Sequence, residues 1–196
     1  MSDFGNHRIQ VFGLDGAFAR EWGSRGSGQG EFYGPRGVAV SDGEVYVCDV
    51  GNHRVQVFGL DGAFAREWGS EGQGQGEFRY PRGVAVSDGE VFVCDYSNHR
   101  VQVFGLDGAF AREWGTEGSG LGEFDGPVGV SVSGGEVFVS DNGNDRVQVF
   151  GLDRSFVREW GSHGSGQAQF DGPTGVAVSE GEVFVCDYDN NRVQVF

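Results

Sequence analysis

The four tryptophans, Trp22, Trp68, Trp114 and Trp160, stand 46 residues apart each time, and the only four prolines, Pro35, Pro81, Pro127 and Pro173, keep the same interval. A chain that copies itself at such a period is built from one supersecondary unit in tandem, because a single unit cannot bury its apolar face alone. Residues 1–196 are therefore read as one domain with a core shared between repeats.

Within one repeat the hydrophobic pattern has period two throughout. Gly37 to Val40 reads as a first strand, and Asp42-Gly43 supplies the positive-φ pair of a tight hairpin before Val45 to Cys48. Arg54 to Phe58 alternates as a third strand, and Asp61-Gly62 turns it into a fourth, Phe64 to Trp68. A long Gly-rich linker, Gly69 to Tyr80, leads to the next proline. Four antiparallel strands with short internal turns and one long connection describe a blade of a β-propeller. The expected fold is all-β, about four such blades per chain: 36–69, 82–115, 128–161, and a composite blade from 174–196 with 8–22. Naming the strands a to d, the chain opens on c and d and closes on a, b and c, so strand c is present once too often. Exchange of terminal strands would close a four-bladed ring within one chain or an eight-bladed ring between two, and an unclosed array would leave strand edges bare.

The segment Gly51-Asn52-His53-Arg54-Val55-Gln56-Val57-Phe58 recurs as Asn98-His99-Arg100-Val101-Gln102-Val103-Phe104 and as Asn6-His7-Arg8-Ile9-Gln10-Val11-Phe12. It resembles the signature of the NHL-repeat family along essentially the whole chain. Two copies, Asn144-Asp145-Arg146 and Asn190-Asn191-Arg192, lack the histidine. The resemblance implies a propeller, commonly six-bladed in that family, which favours association of two chains over closure at four blades. It also brings a zinc-dependent lyase domain and RNA-binding propellers into view as family functions.

Composition narrows those options. The net charge is -15 and all fourteen basic residues are arginine, so a polyphosphate backbone would be repelled and no nucleic-acid partner is expected. No segment approaches the ~20 apolar residues of a membrane span, and the N-terminus has no export signal, so a soluble chain with no membrane partner is expected. Cys48, Cys94 and Cys186 occupy one repeat position, filled by Ser140 in another copy; neither a disulfide framework nor zinc spacing results. They read as small buried fillers and favour a reducing, cytoplasmic compartment.

Antiparallel order puts the linkers and the b-to-c loops on one end of every blade. Differences between repeats gather there: Tyr33, Arg79, Asp125 and Asp171; Arg36 and Arg82; Val50 and Tyr96; Arg25 and His163. Exposed loops tolerate such change without serving a purpose, but Arg and Tyr concentrate binding energy when partly buried. Tyr33, Arg36, Arg79, Arg82, Tyr96, Asp125 and Asp171 are the candidate partner-binding residues. Asp49, Asn52 and Arg54, with Asp95, Asn98 and Arg100, recur in every repeat, so they read as turn-stabilising and ion-pairing groups. Catalysis needs one asymmetric set of differently tuned groups, and none stands out. The Trp68 and Phe64 series reads as packing between blades. No phosphate loop is possible without lysine, and no metal ligand set or cofactor site is expected. The expected function is a non-enzymatic scaffold for a protein or peptide on the linker face, with self-association into a larger ring. The alternatives are a recently amplified propeller with no specialised ligand and an enzyme or metal-dependent binder at the channel mouth.

Overall fold

The computed structural model describes residues 1–196, all in β-strands, short 3-10 turns and loops, with no α-helix. The second repeat shows the local logic. Pro35–Ser41 (strand a) pairs with Glu44–Asp49 (b) across an Asp42-Gly43 turn in which both residues have positive φ, 50° and 80°. That conformation matches the twist of a two-residue hairpin. Strand b pairs with Arg54–Gly59 (c), which pairs with Phe64–Trp68 (d), and a bulge between Val57 and Phe58 bends the outer edge. Proline opens strand a, the first position of the innermost strand, where a missing N–H costs least.

Five sheets form, where the repeat count led us to expect about four blades. Three are complete a-b-c-d blades. The first consists of Ser2–Asp3, Arg8–Phe12 and Phe18–Trp22: beside c and d it carries a stub of strand b and lacks strand a. The last, Pro173–Ser179, Glu182–Asp187 and Arg192–Val195, lacks strand d. The expected composite blade of 174–196 with 8–22 is not present, because no ladder of hydrogen bonds joins the two terminal sheets. Ser2–Asp3 pairs instead with Arg8 and Ile9 of its own sheet, and Arg192–Val195 stays at the edge of the last one.

The core lies between blades. Tyr46, Cys48, Val55 and Val57 of one blade meet Phe78, Val91, Val93 and Phe104 of the next. The tryptophans seal each joint: Trp22 packs on Phe58, Trp68 on Phe104, Trp114 on Phe150 and Trp160 on Phe196, with ring centroids 5.6–5.7 Å apart. Strands a approach so closely that a side chain at Gly37 or Gly83 would sit 2.3 Å from the next blade's backbone. Glycine there is what lets the inner strands converge. Outer edges are tied by Arg66, whose guanidinium grips Glu44 of its own blade and donates to the Leu106 carbonyl of the next.

Cys48 and Cys94 are buried and the medium around them pushes both thiols well up. Cys186, expected to be a buried filler as well, is exposed: it lies on the outer face of the last of the five sheets, whereas Cys48 and Cys94 lie between two sheets.

Candidate functional site

The linkers are ordered loops. Phe32 pairs with Ser24 and Gly26 by backbone hydrogen bonds, and its ring is fully buried against Phe58, 5.6 Å away. Phe78, Phe124 and Phe170 repeat this. Reading the linkers as simple connectors missed these rings, since a Gly- and Ser-rich stretch hides one apolar anchor.

Beneath each loop lies the recurring polar network. Asp49 is fully buried and accepts from Arg54 Nε (2.9 Å), Asn52 Nδ2 (2.8 Å), Gln56 Nε2 (3.1 Å) and the Tyr33 N–H (2.7 Å). Arg54 extends on to the carbonyls of Ser27, Gly28 and Glu31 and to Glu67. Asp95, Asn98 and Arg100 build the same network one blade later. These bonds saturate the carboxylate, so none of its oxygens is free for acid–base work. The histidines hold the next blade's entry: His7 Nδ1 accepts the Gly34 N–H and His53 Nδ1 the Tyr80 N–H. In one of the two copies that lack histidine, Asp145 accepts the Gly172 N–H with one carboxylate oxygen.

With the frame occupied in this way, the mouth of the channel remains. A cavity of about 500 Å³ opens there across three consecutive sheets. Its floor and walls come from Phe4 and His7 of the first sheet, Arg25 and Tyr33 of the first linker, Arg36 at the start of a strand a, and Tyr80 and Arg82 of the next blade. No carboxylate lines it. Each guanidinium lies against a ring instead: Arg25 over Tyr33 at 5.2 Å, Arg36 over Phe4 at 4.5 Å and Arg82 over Tyr96 at 3.4 Å. Arg82 Nε is buried with no hydrogen-bond partner, and burial depresses the pKa of that guanidinium, with the nearby Arg36 charge adding to the effect. Arg36 and Arg82 also rim the channel that continues below between the a strands.

Of the seven candidate partner residues, Tyr33, Arg36 and Arg82 converge on the cavity and Tyr96 supports it from beneath. Arg79 is exposed on the same face outside it. Asp125 and Asp171 belong to later linkers and do not line it. Asp171 joins Asp145 and His163, whose ligand atoms lie within 4.8 Å of one another. His163 is largely exposed and bonds Asp145 at 3.0 Å; three groups fall one short of the four that a closed zinc site uses. Phe4 and Tyr80 carried no signal in the sequence and His7 stood out only as part of the repeated motif, since only the angle between blades brings the three together.

A family model described as NHL repeat matches residues 32–58, 78–104, 124–150 and 170–196, each running from a buried linker phenylalanine to the end of a strand c. No curated protein matches the sequence. Among solved structures, virginiamycin B lyase from Staphylococcus aureus, in a catalytically inactive form with quinupristin, superposes with a TM-score of 0.67 at 14% identity over 100% of this chain and 64% of that one. A streptogramin B lyase gives 0.61 at 13% identity over 83% and 54%. A chain of a nidogen/laminin complex gives 0.66 at 17% over 84% and 59%. Such identities establish a shared fold only. The chain spans between 54% and 64% of the length of these three structures.

Proposed function

Because the chain belongs to the NHL-repeat family, we propose that it is a non-enzymatic scaffold that binds a protein or peptide on its linker face. The observation that supports this reading most is the cavity at the channel mouth. Aromatic and arginine side chains concentrate there on a rigid frame, the residue types that dominate binding hot spots. A propeller chain in a nidogen/laminin complex offers an analogy at the level of fold. The competing reading, an enzyme at the channel mouth, draws on the lyases of similar fold. It needs a base in the cavity. His7 is the one candidate there, and its Nδ1 is already committed to the Gly34 N–H.

Selection of peptides from a display library on the immobilised chain, followed by hydroxyl-radical footprinting, tests the proposal. Protection is expected at Tyr33, Phe4 and Tyr80. Footprints on the opposite face, at the Asp42-Gly43 series of hairpins, would sink it.

A further inference from the structure

We propose that the cavity at the channel mouth is a site for an anionic group, a carboxylate or a phosphate monoester, carried on a flat apolar body. The inference rests on the reading of the linker face as an interaction surface and gives that surface its ligand chemistry.

Acidic residues outnumber basic ones by 29 to 14, so each arginine has carboxylates to choose from. Eight of the fourteen are ion-paired with Asp or Glu, and Arg20 and Arg154 reach backbone carbonyls. Arg25, Arg36, Arg79 and Arg82 have no carboxylate partner, and three of these four share one cavity. In a chain of net charge -15 such a cluster of uncompensated cations is the exception.

The way the guanidiniums are held matters as much as their number. Lying over the rings of Tyr33, Phe4 and Tyr96, they are held by cation–π contacts that use up none of their N–H donors. A planar fork of donors matches the two oxygens of a carboxylate or phosphate. Arg82 Nε is already removed from water without a partner, so the cost of desolvating that donor is borne before any ligand arrives. An anion between Arg36 and Arg82 relieves the repulsion between them. The volume, about 500 Å³, exceeds what an inorganic anion fills, and Phe4, Tyr33 and Tyr80 supply walls for an apolar body. One charged group suffices here; a polyanion would meet the acidic remainder of the molecule.

The test titrates the intact chain by calorimetry with phenyl phosphate, phenylacetate and the neutral phenylacetamide, each also against Arg36→Gln, Arg25→Gln and Arg79→Gln. Arg25, Arg36 and Arg79 are exposed and their side chains make no hydrogen bond or ion pair within the fold, so these variants keep their structure, which a urea midpoint verifies. Saturable binding of at least one anionic probe is expected, about tenfold or more tighter than the amide, weakened about tenfold in Arg36→Gln and Arg25→Gln and unchanged in Arg79→Gln. The two anionic probes separate phosphate from carboxylate preference. Equal affinity for the amide, or wild-type affinity in Arg36→Gln, overturns the proposal. The scaffold reading fails separately: peptides selected on the linker face that carry no acidic group would leave it standing and remove the anion site. Probe binding with no peptide selected would do the reverse.

Discussion

At the scale of single residues, the fold relies on a few side chains that are both buried and polar. Asp95 is fully enclosed and accepts from Arg100, Asn98, Gln102 and the Arg79 N–H. Replacing it by alanine removes the one carboxylate that these four buried or half-buried donors share, the Nε of the largely buried Arg100 among them. Asp95→Ala is expected to lower stability by about 3 kcal/mol or more, read from urea denaturation. Arg154 presents the opposite case. It occupies the turn position filled by Gly16, Gly62 and Gly108 in other copies and keeps their positive φ, 74°. A left-handed arginine costs about 1 kcal/mol, so Arg154→Gly should raise the urea midpoint by a corresponding amount. An unchanged midpoint would show that the Arg154 contacts offset the strain.

At the scale of strands and blades, packing distance decides which positions tolerate change. A methyl group at Gly83 would collide with the Val128 carbonyl of the next blade at 2.3 Å, whereas at Gly175 the nearest atom is Cys186 Sγ at 3.3 Å. The same substitution in the same repeat position should therefore have different effects. Gly83→Ala is expected to destabilise by roughly 1–3 kcal/mol and Gly175→Ala by far less, in parallel urea titrations. Pairing across a blade has a pH signature. Hydrogen bonds from Arg112 hold the Glu90 carboxyl below its ordinary value of 4.5, against the opposing effect of burial. A carboxylate depressed in the folded state contributes stability above its unfolded pKa and loses it as pH falls through the folded one. Thermal stability should thus decline as pH drops below about 4.5, and Glu90→Gln should be less stable at neutral pH with a flatter acid limb. A variant that follows the wild-type profile would remove Glu90 as a contributor.

At the scale of the whole molecule, the array has two unlike ends. The last sheet leaves Ala177, Cys186, Val193 and Val195 exposed and Phe184 half-buried, and the equivalent face of each interior blade is covered by the blade that follows. The first sheet exposes Phe12 and Phe18, whose equivalents in the interior blades are buried and half-buried respectively. We propose that the 196-residue chain associates head to tail through these faces, a second copy supplying the contact that the interior joints already make. Light scattering should give a mass near twice 21.0 kDa, and Val193→Asp should return it to that of one chain. A single-chain mass at high concentration overturns the proposal. Thiol chemistry offers an independent reading: one of the three cysteines, Cys186, should react with a thiol reagent in the native protein, more slowly as concentration rises.

The blade was legible in the sequence because its causes are local. Period-two alternation from Val55 to Phe58 and the Asp42-Gly43 pair depend on nearest neighbours along the chain, and the structure places strands and turns there. Tyr33, Arg36 and Arg82 stood out by residue type and by their differences between repeats. The cavity they share was not legible, since Phe4, Tyr80 and Arg82 meet only through the angle at which successive blades pack. Nor was the fifth sheet, in which the short Ser2–Asp3 strand pairs with Ile9 and Arg8 and the terminal strands do not join. The sequence by itself determined the repeat, the strands, the turns and the family, all set by short-range sterics and hydrophobic period. Tertiary structure alone decided the number of sheets, the exposure of Cys186 and the convergence of three arginines without a carboxylate, because each depends on which surfaces lie between blades and which are left outside them.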